Sequence, residues 1–167
     1  MKTAWLVKSD GVYMKRLLRY FSIPLGMLCG VLLSACGPRP AAVGVDPGNT
    51  ALVQQGQPLY QTHCARCHGA NLEGQPEWRT RKPDGRLPAP PHDDSGHTWH
   101  HPTPVLVEIV KFGLVPPNAP EGYASDMPAF KNTLDDTQIA AVLSYIQSRW
   151  GADVRSFRGE NKLDVPN

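Results

Sequence analysis

Two cysteines and a histidine stand close together in the pentapeptide Cys64-Ala65-Arg66-Cys67-His68. Two thiols at this spacing can add across the two vinyl groups of one haem, and the histidine that follows can then bind the iron. A zinc site would need a second Cys or His pair at ligand spacing, and the predicted folded region holds no further cysteine. A thioredoxin-like redox pair would need a strand before it, whereas a helical pattern precedes Cys64. The pentapeptide therefore predicts one covalent haem with His68 as an axial iron ligand.

The second axial ligand can be sought among the methionines. Three of the four lie in the N-terminal 35 residues, which leaves Met127, about 60 residues after His68. A lone methionine is usually core filler, but here the segment Asp126–Phe130 is polar and loop-like, and Pro128 stiffens the backbone beside the thioether. We therefore expect Met127 to bind the iron. A His/Met pair raises the reduction potential and favours electron transfer over substrate binding.

The first 35 residues have the composition of a targeting signal. A basic start at Lys15–Arg19 is followed by the apolar run Tyr20–Leu33. This run is short for a membrane span, which needs about 20 residues, and suits a signal peptide. It ends in Leu33-Ser34-Ala35-Cys36, which resembles the lipobox of bacterial lipoproteins. The resemblance implies cleavage before Cys36 and acylation of that residue, which would anchor the protein to a lipid bilayer.

Two alternatives concern this segment. An uncleaved anchor helix is less compatible with it, because Pro24, Gly26 and Gly30 all weaken such a helix. A signal that is complete from Met14 onward also leaves open that Met14 is the true start. After the signal, residues 36–49 are rich in Pro, Gly and Ala, which predicts a lipidated flexible tether.

The net charge of +2 comes from the targeting segment. Residues 1–35 hold five basic residues and one acidic residue, which leaves 12 basic and 14 acidic residues in the rest of the chain. A nucleic-acid-binding domain would carry a basic patch or stripe, so no nucleic acid partner is expected. The slightly acidic remainder also predicts no strong docking face of a single sign.

A closing helix is well marked near the C-terminal end of the domain. We expect Thr133 to cap it, with Asp136 completing a capping box. Arg149 falls in its last turn and Gly151 follows as a stop. One apolar stripe at helical spacing comprises Ile139, Val142, Leu143 and Ile146.

With the haem pentapeptide, Met127-Pro128 and this closing helix, residues 50–150 resemble class I cytochromes c. The resemblance implies an all-α fold with three or more helices around a covalently bound haem, joined here by long Pro-rich loops. It also implies that a small residue of the first helix lets an aromatic residue of the last helix approach closely, and Gly56 and Tyr145 match those roles.

Two further helices complete the expected scaffold. The first should run from about Thr50 to Cys64, with a kink at Pro58 or a start at that residue. A middle helix should have Thr103 as its cap and Pro104 at its first position, and should end at Gly113. Its apolar side chains are expected to face the haem or the core: Val105, Leu106, Ile109, Val110 and Phe112. The polar tail, residues 151–167, is expected to be loose.

Residues 74–102 form an unusual loop rich in proline, arginine, tryptophan and histidine, which we call the histidine-rich loop. The family resemblance implies that an Arg or Trp of this loop holds a haem propionate, and that a carbonyl of Leu87–Pro90 fixes the proximal histidine. Four histidines leave other interpretations open, namely a copper site, a His/His haem in place of Met127, or plain turn and solvent contacts. They are His92, His97, His100 and His101.

The sequence thus favours a membrane-anchored one-electron carrier on the periplasmic side of a bacterial membrane or on the outer cell surface. Its expected partners are membrane redox complexes or dehydrogenases. We do not expect catalysis, because no nucleophile–base pair can be singled out and the iron would have no open position. The alternatives are a haem or copper sensor that uses the histidine-rich loop, and a peroxidase-like haem enzyme.

Overall fold

The structure, a computed structural model, describes residues 44–164. Within that range the chain forms five α-helices and one 3-10 helix, and no strand. None of these helices is both long and apolar enough to cross a membrane. The expected all-α class is confirmed. The elements are α1 (Thr50–His63), α2 (Ala65–His68), the 3-10 helix (Thr98–His100), α3 (Thr103–Phe112), α4 (Asp136–Ser148) and α5 (Ala152–Glu160).

Helix α4 forms the centre of the core. All nine residues from Ile139 to Gln147 are buried, so the helix is covered on every side. Helix α1 packs along it through Leu52, Gly56 and Tyr60, which share one helical face. The predicted stripe is confirmed, because Ile139, Val142, Leu143 and Ile146 are all at most 3% exposed.

The predicted close approach of α1 and α4 at Gly56 is also confirmed. A Cβ atom at this position would lie 1.9 Å from the carbonyl oxygen of Ala141 and 3.0 Å from the Cβ of Tyr145. Only a glycine leaves room for the two backbones here. The ring of Tyr145 then lies against that of Tyr60, with centroids 5.4 Å apart.

Two predicted helix caps are wrong by one or two residues. Asp135, not Thr133, caps α4, because its carboxylate accepts the backbone N–H of Gln138 while the Gln138 side chain accepts that of Asp135. Aspartate caps as well as threonine does, so the sequence allowed both starts. Thr103 is the first residue of α3 and not its cap, which is Pro102. The predicted end at Gly113 is confirmed, with φ at +81°.

A start of the first helix at Pro58 is wrong, since α1 begins at Thr50 and contains Pro58. Asn49 caps the helix, and its side chain accepts the N–H of Leu52 at 3.1 Å. Pro58 is exposed. Burial of Leu52 and Gly56 against α4 thus outweighs the hydrogen bond that the proline removes.

The expected inward position of Phe112 is wrong, because this side chain is 45% exposed. Leu106, Ile109 and Val110 share one face of α3, and at about 100° per residue Phe112 points away from that face. Lysine ammonium groups from Lys111 and Lys131 lie within 6 Å of its ring instead.

The expectation of a loose C-terminal tail is wrong for residues 152–160, which form α5. Val154 and Arg158, four residues apart on one face, are buried. Arg158 is 1% exposed, and its guanidinium donates to the carbonyls of Trp99 and His101 and to the Thr103 hydroxyl, at 2.7–2.9 Å. Helix α5 therefore fastens the histidine-rich loop to the start of α3.

The last residues of the expected tether contact the domain. The backbone N–H of Asp46 donates to the Ser144 hydroxyl at 2.9 Å, and Val45 packs against the core. The rest of the tether before Gly44, the predicted signal peptide and Cys36 lie outside the described residues.

Candidate cofactor site

A cavity of about 370 Å³ opens between α2, α3, α4 and two long loops, which contribute residues within 75–101 and 114–130. Its volume is within the range of sites for small organic ligands and cofactors. Helices α3 and α4 supply an apolar wall made of Leu106, Ile109, Val110, Val142, Leu143 and Ile146. Cys64, Cys67, His68 and Met127 all line this same cavity. The structure thus gathers the four residues that the sequence singled out within the domain.

The two cysteines lie within one turn of backbone, with Cys64 at the junction of α1 and α2 and Cys67 inside α2. Cys64 ends α1, and its carbonyl accepts the N–H of Cys67 at 3.0 Å and that of His68 at 2.9 Å. Both thiols are free. Burial, with a smaller contribution from Cys67, raises the pKa of Cys64 to about 11, so this sulfur is a protonated thiol at neutral pH.

His68 is buried, and its ring is held by the histidine-rich loop. Its Nδ1 lies 2.8 Å from the carbonyl oxygen of Pro90. A carbonyl can only accept a hydrogen bond, so Nδ1 carries the proton and Nε2 keeps its lone pair. Burial lowers the pKa of His68, although the Pro90 bond partly opposes this. The neutral tautomer that binds a metal through Nε2 is therefore the stable one, and the expected Leu87–Pro90 carbonyl is that of Pro90.

The turn behind His68 is fixed from α1. The Tyr60 hydroxyl donates to the carbonyl of Gly69 at 2.9 Å and reaches that of His68 at 3.3 Å. Tyr60 is completely buried. Gly69 adopts a φ of +83°, a value that favours glycine, and this turn leads the chain away from α2 into the long loop.

Met127 is partly buried and lies on a loop fastened at both sides. After it, the N–H groups of Phe130 and Lys131 donate to the carbonyls of Val110 and Lys111 at 3.0 Å. Before it, Asp126 lies 3.1 Å from the Lys82 ammonium and 3.3 Å from Arg86. These exposed ion pairs contribute little to stability, but they join the loop that carries Met127 to the histidine-rich loop.

The four histidines of the loop do not converge on one point. His92 stacks on His68, His97 stacks on Trp78, and His100 stacks on Trp99. Between residues 44 and 164, no three His, Cys, Asp or Glu side chains form a group that could hold a metal ion. The copper interpretation therefore finds no site in the part of the chain that the structure describes.

His92 also does not fit a His/His ligand pair. Its ring centroid lies 3.9 Å from that of His68, and the two planes differ by 21°. Ligands on opposite faces of a macrocycle cannot stack on each other, so His92 lies beside His68 and not across from it. Burial, with smaller contributions from His68 and His97, lowers the pKa of His92 well below its usual value, which keeps it neutral.

The cavity fits the expected haem by the chemistry of its walls. Two free thiols, a metal-binding imidazole tautomer and a thioether share a mostly apolar space. Trp78, Lys82, His97 and His101 stand in the polar part of the wall, where a carboxylate could be held. Of the arginines in this loop, Arg79 lies over the Trp78 ring and Arg81 donates to the Gly85 carbonyl.

Three residues make contacts at the cavity that the sequence did not predict. Lys82 lines the cavity, Tyr60 fixes the turn behind His68, and His92 covers the His68 ring. Tyr60 stands at the right helical spacing to face α4, which indicated burial but not its hydroxyl bond. Nothing in a loop of this length indicates which of its histidines reaches His68.

Comparison with known proteins gives a family. The sequence pattern of the cytochrome c family matches residues 53–150, which is more than half of the chain. The chain is 38% identical over 50 residues to the cytochrome bc1 complex cytochrome c subunit of Mycobacterium tuberculosis (strain ATCC 25618 / H37Rv), an alignment that covers 30% of this chain and 18% of that subunit. The corresponding subunit of Mycobacterium leprae (strain TN) is 40% identical over 48 residues, 29% of this chain and 17% of the subunit.

A smaller relative is cytochrome c-551 of Bacillus subtilis (strain 168), 42% identical over 53 residues, which are 30% of this chain and 47% of that protein. The chain thus spans less than a fifth of the mycobacterial subunits and about half of the Bacillus protein. No solved structure matches the chain. The family match and the cavity agree, and the chain therefore belongs to the cytochrome c family of haem electron carriers, with covalently bound haem c as its cofactor.

Proposed function

We propose that the protein is a membrane-anchored one-electron carrier in which Cys64 and Cys67 hold the haem and His68 and Met127 bind its iron. The observation that carries this proposal is that all four side chains line one apolar cavity, with the His68 Nδ1 proton committed to Pro90. The haem supplies an iron that changes its charge by one unit. The protein residues then decide how easily that change occurs.

Each residue has a separate task in this proposal. The thiols of Cys64 and Cys67 would add across the two vinyl groups of the haem, and the resulting thioethers would fix it in the cavity. His68 offers Nε2 because Pro90 holds its other nitrogen. The Met127 thioether is a soft ligand, which favours the reduced iron and raises the reduction potential. With His68 and Met127 both bound to the iron, no position would be left for a substrate, so we expect no catalytic activity.

The apolar wall of the cavity supports rapid electron transfer. Side chains of α3 and α4 exclude water from most of the site. The ligands are also held by short, directed contacts, since Pro90 fixes His68 and the α3 carbonyls fix the Met127 loop. A site that stays the same in both oxidation states needs little reorganisation when an electron arrives.

We further propose that Cys36 is acylated and that the domain is tethered to the periplasmic face of a bacterial membrane, or to the outer cell surface. The lipobox-like Leu33–Cys36 supports this assignment, as does the match to proteins named as subunits of cytochrome bc1 complexes. Partners would then be membrane redox complexes or dehydrogenases that lie within reach of the tether.

A redox titration of the full chain tests the carrier function. The protein should be produced in a bacterium that attaches haem to exported proteins, and its haem content measured. We expect one haem per chain, a reversible one-electron transition, and no binding of carbon monoxide by the reduced protein at rest. Rapid carbon monoxide binding would instead indicate an open iron position and would favour a peroxidase-like enzyme.

Membrane fractionation tests the anchor separately. We expect the haem protein to sediment with membranes, to be released by detergent, and to carry acyl chains on an N-terminal Cys36 in mass spectra, whereas Cys36→Ser should lack these chains. Cys36→Ser has no expected effect on haem content, because the four residues proposed to hold the haem all lie in the domain, at residues 64–127. An N-terminal peptide without acyl chains in the unaltered protein would contradict the lipid anchor.

A further inference from the structure

The ring of His92 lies flat against the ring of His68 inside the cavity wall. The two centroids are 3.9 Å apart and the planes differ by only 21°. Both residues line the cavity. Neither the family match nor the proposed ligand set gives His92 a role, although its ring stacks on that of the proposed iron ligand.

Contacts at the two ring nitrogens of His68 do not by themselves fix the orientation of its imidazole plane. The Nδ1–Pro90 hydrogen bond and an iron bond at Nε2 would fix two points of the imidazole. The Cα–Cβ and Cβ–Cγ bonds still let the imidazole plane turn, as far as the hydrogen bond and the iron bond can bend. A flat ring pressed on its face removes that freedom, because rotation would drive one ring edge into the neighbour.

His92 is itself held firmly enough to act as such a support. Its N–H donates to the Leu72 carbonyl at 2.7 Å, and its carbonyl accepts the indole N–H of Trp150 at 2.9 Å. Its Nδ1 lies 2.8 Å from the hydroxyl oxygen of Thr98, a buried residue. Backbone and ring are therefore both fixed, and by three different parts of the chain.

We infer that His92 is a positioning residue that sets the orientation of the His68 imidazole plane. The inference rests on the proposed assignment of His68 as an iron ligand. In oxidised haem proteins the plane of the axial imidazole determines how unpaired spin is distributed over the four haem methyl groups. A change in His92 should therefore be visible as a changed spread of haem-methyl proton resonances, even where haem content and ligands stay the same.

The test compares variants of the full-length oxidised protein by paramagnetic proton NMR. His92→Gln removes the ring but keeps a polar group near Thr98, and we expect it to shift the haem-methyl resonances and change their spread. His92→Phe keeps a flat face, and we expect it to return the spread toward that of the unaltered protein. His92→Leu is a second ring-free variant, for the case in which glutamine prevents folding.

A matched control is His100→Gln. His100 also stacks on an aromatic ring, that of Trp99 at 3.6 Å, but it is exposed and does not line the cavity. We expect the haem-methyl resonances of His100→Gln to be the same as those of the unaltered protein. Resonances that are equally unchanged in a folded, haem-loaded ring-free His92 variant would overturn the inference, as would a Phe variant that resembles the ring-free ones.

Failure of this inference can be told apart from failure of the proposed function. If the ring-free variants keep both the far-red methionine–iron absorption band and the original resonances, the ligands stand and only the positioning role fails. If the unaltered protein lacks that band, the ligand assignment itself fails, whatever the His92 variants show.

Discussion

The backbone of Gly56 in α1 lies directly against the carbonyl of Ala141 in α4. A Cβ atom at residue 56 would come within 1.9 Å of that oxygen and 2.5 Å of its carbon. These are backbone atoms of a helix that is buried on every side, so they cannot move aside as a flexible side chain could. The distance between α1 and α4, and with it the position of the Cys64 turn, is set at this contact.

Gly56→Ala should therefore separate the two helices. We expect the free energy of unfolding to fall by about 3 kcal/mol, the upper end of the usual range for overpacking. Denaturant titration followed by haem absorption measures it. Gly159→Ala is the matched control, since a Cβ there meets nothing within 4 Å, and its stability should stay equal or rise by up to about 1 kcal/mol. Equal effects of the two changes would contradict the packing argument.

Arg158→Leu should weaken the attachment of α5 to the histidine-rich loop. The change removes the guanidinium that donates hydrogen bonds to the carbonyls of Trp99 and His101. It also removes the ion pair between Arg158 and Asp164. We expect a loss of about 3 kcal/mol in the free energy of unfolding. Denaturant titration measures this loss.

The exposed Arg149 provides the control, because Arg149→Leu should change the stability by less than about 0.5 kcal/mol. Hydrogen exchange adds a local measurement: the amide of His101, which bonds the Thr98 carbonyl at 3.2 Å, should exchange faster in Arg158→Leu. Unchanged protection there would show that α5 does not hold the loop.

Tyr60→Phe should loosen the turn behind His68. It removes a fully buried hydroxyl and leaves the carbonyl of Gly69 without its donor. We expect a loss of about 1–2 kcal/mol in the free energy of unfolding. Tyr123→Phe, in a partly exposed ring of the cavity mouth, should have a smaller effect. Thermal unfolding of both haem-loaded variants compares them, and the opposite order of stability would be inconsistent with the assigned role of Tyr60.

Local signals predicted the helices well, and tertiary contacts explain the errors. The α4 stripe and the Gly113 end follow from spacing and backbone freedom, which act within a few residues. Pro58 is tolerated inside α1 because packing against α4 outweighs the lost hydrogen bond. Phe112 is as hydrophobic as the buried residues of α3, but its angle around the helix points it away from the core. Both positions depend on how a helix packs in the fold, which the local pattern does not determine.

The site was predictable as far as its chemistry depends on residue type. Cys64, Cys67 and His68 carry the haem signature in adjacent positions, and Met127 followed by elimination. The Pro90 carbonyl was anticipated only as one of several in Leu87–Pro90. Contacts such as His92 on His68 join residues 24 positions apart through an irregular loop, and no periodicity encodes them.

The C-terminal helix shows the same limit in another form. Val154 and Arg158 have helical spacing, but a polar nine-residue segment is too short to be stable as an isolated helix. Its stability depends on the contacts that the Arg158 guanidinium makes with the carbonyls of the histidine-rich loop. That partnership becomes visible only when the two segments are seen together.

The most direct test of the central assignment is the far-red absorption band of the oxidised full-length protein, compared with that of Met127→Ala. A methionine–iron bond gives this weak band, so we predict that it is present in the unaltered protein and absent in Met127→Ala, with equal haem content. Val115→Ala, at an exposed residue of the neighbouring loop, should keep it. A band that persists in Met127→Ala, or that is missing from the unaltered protein, would contradict Met127 as the ligand opposite His68.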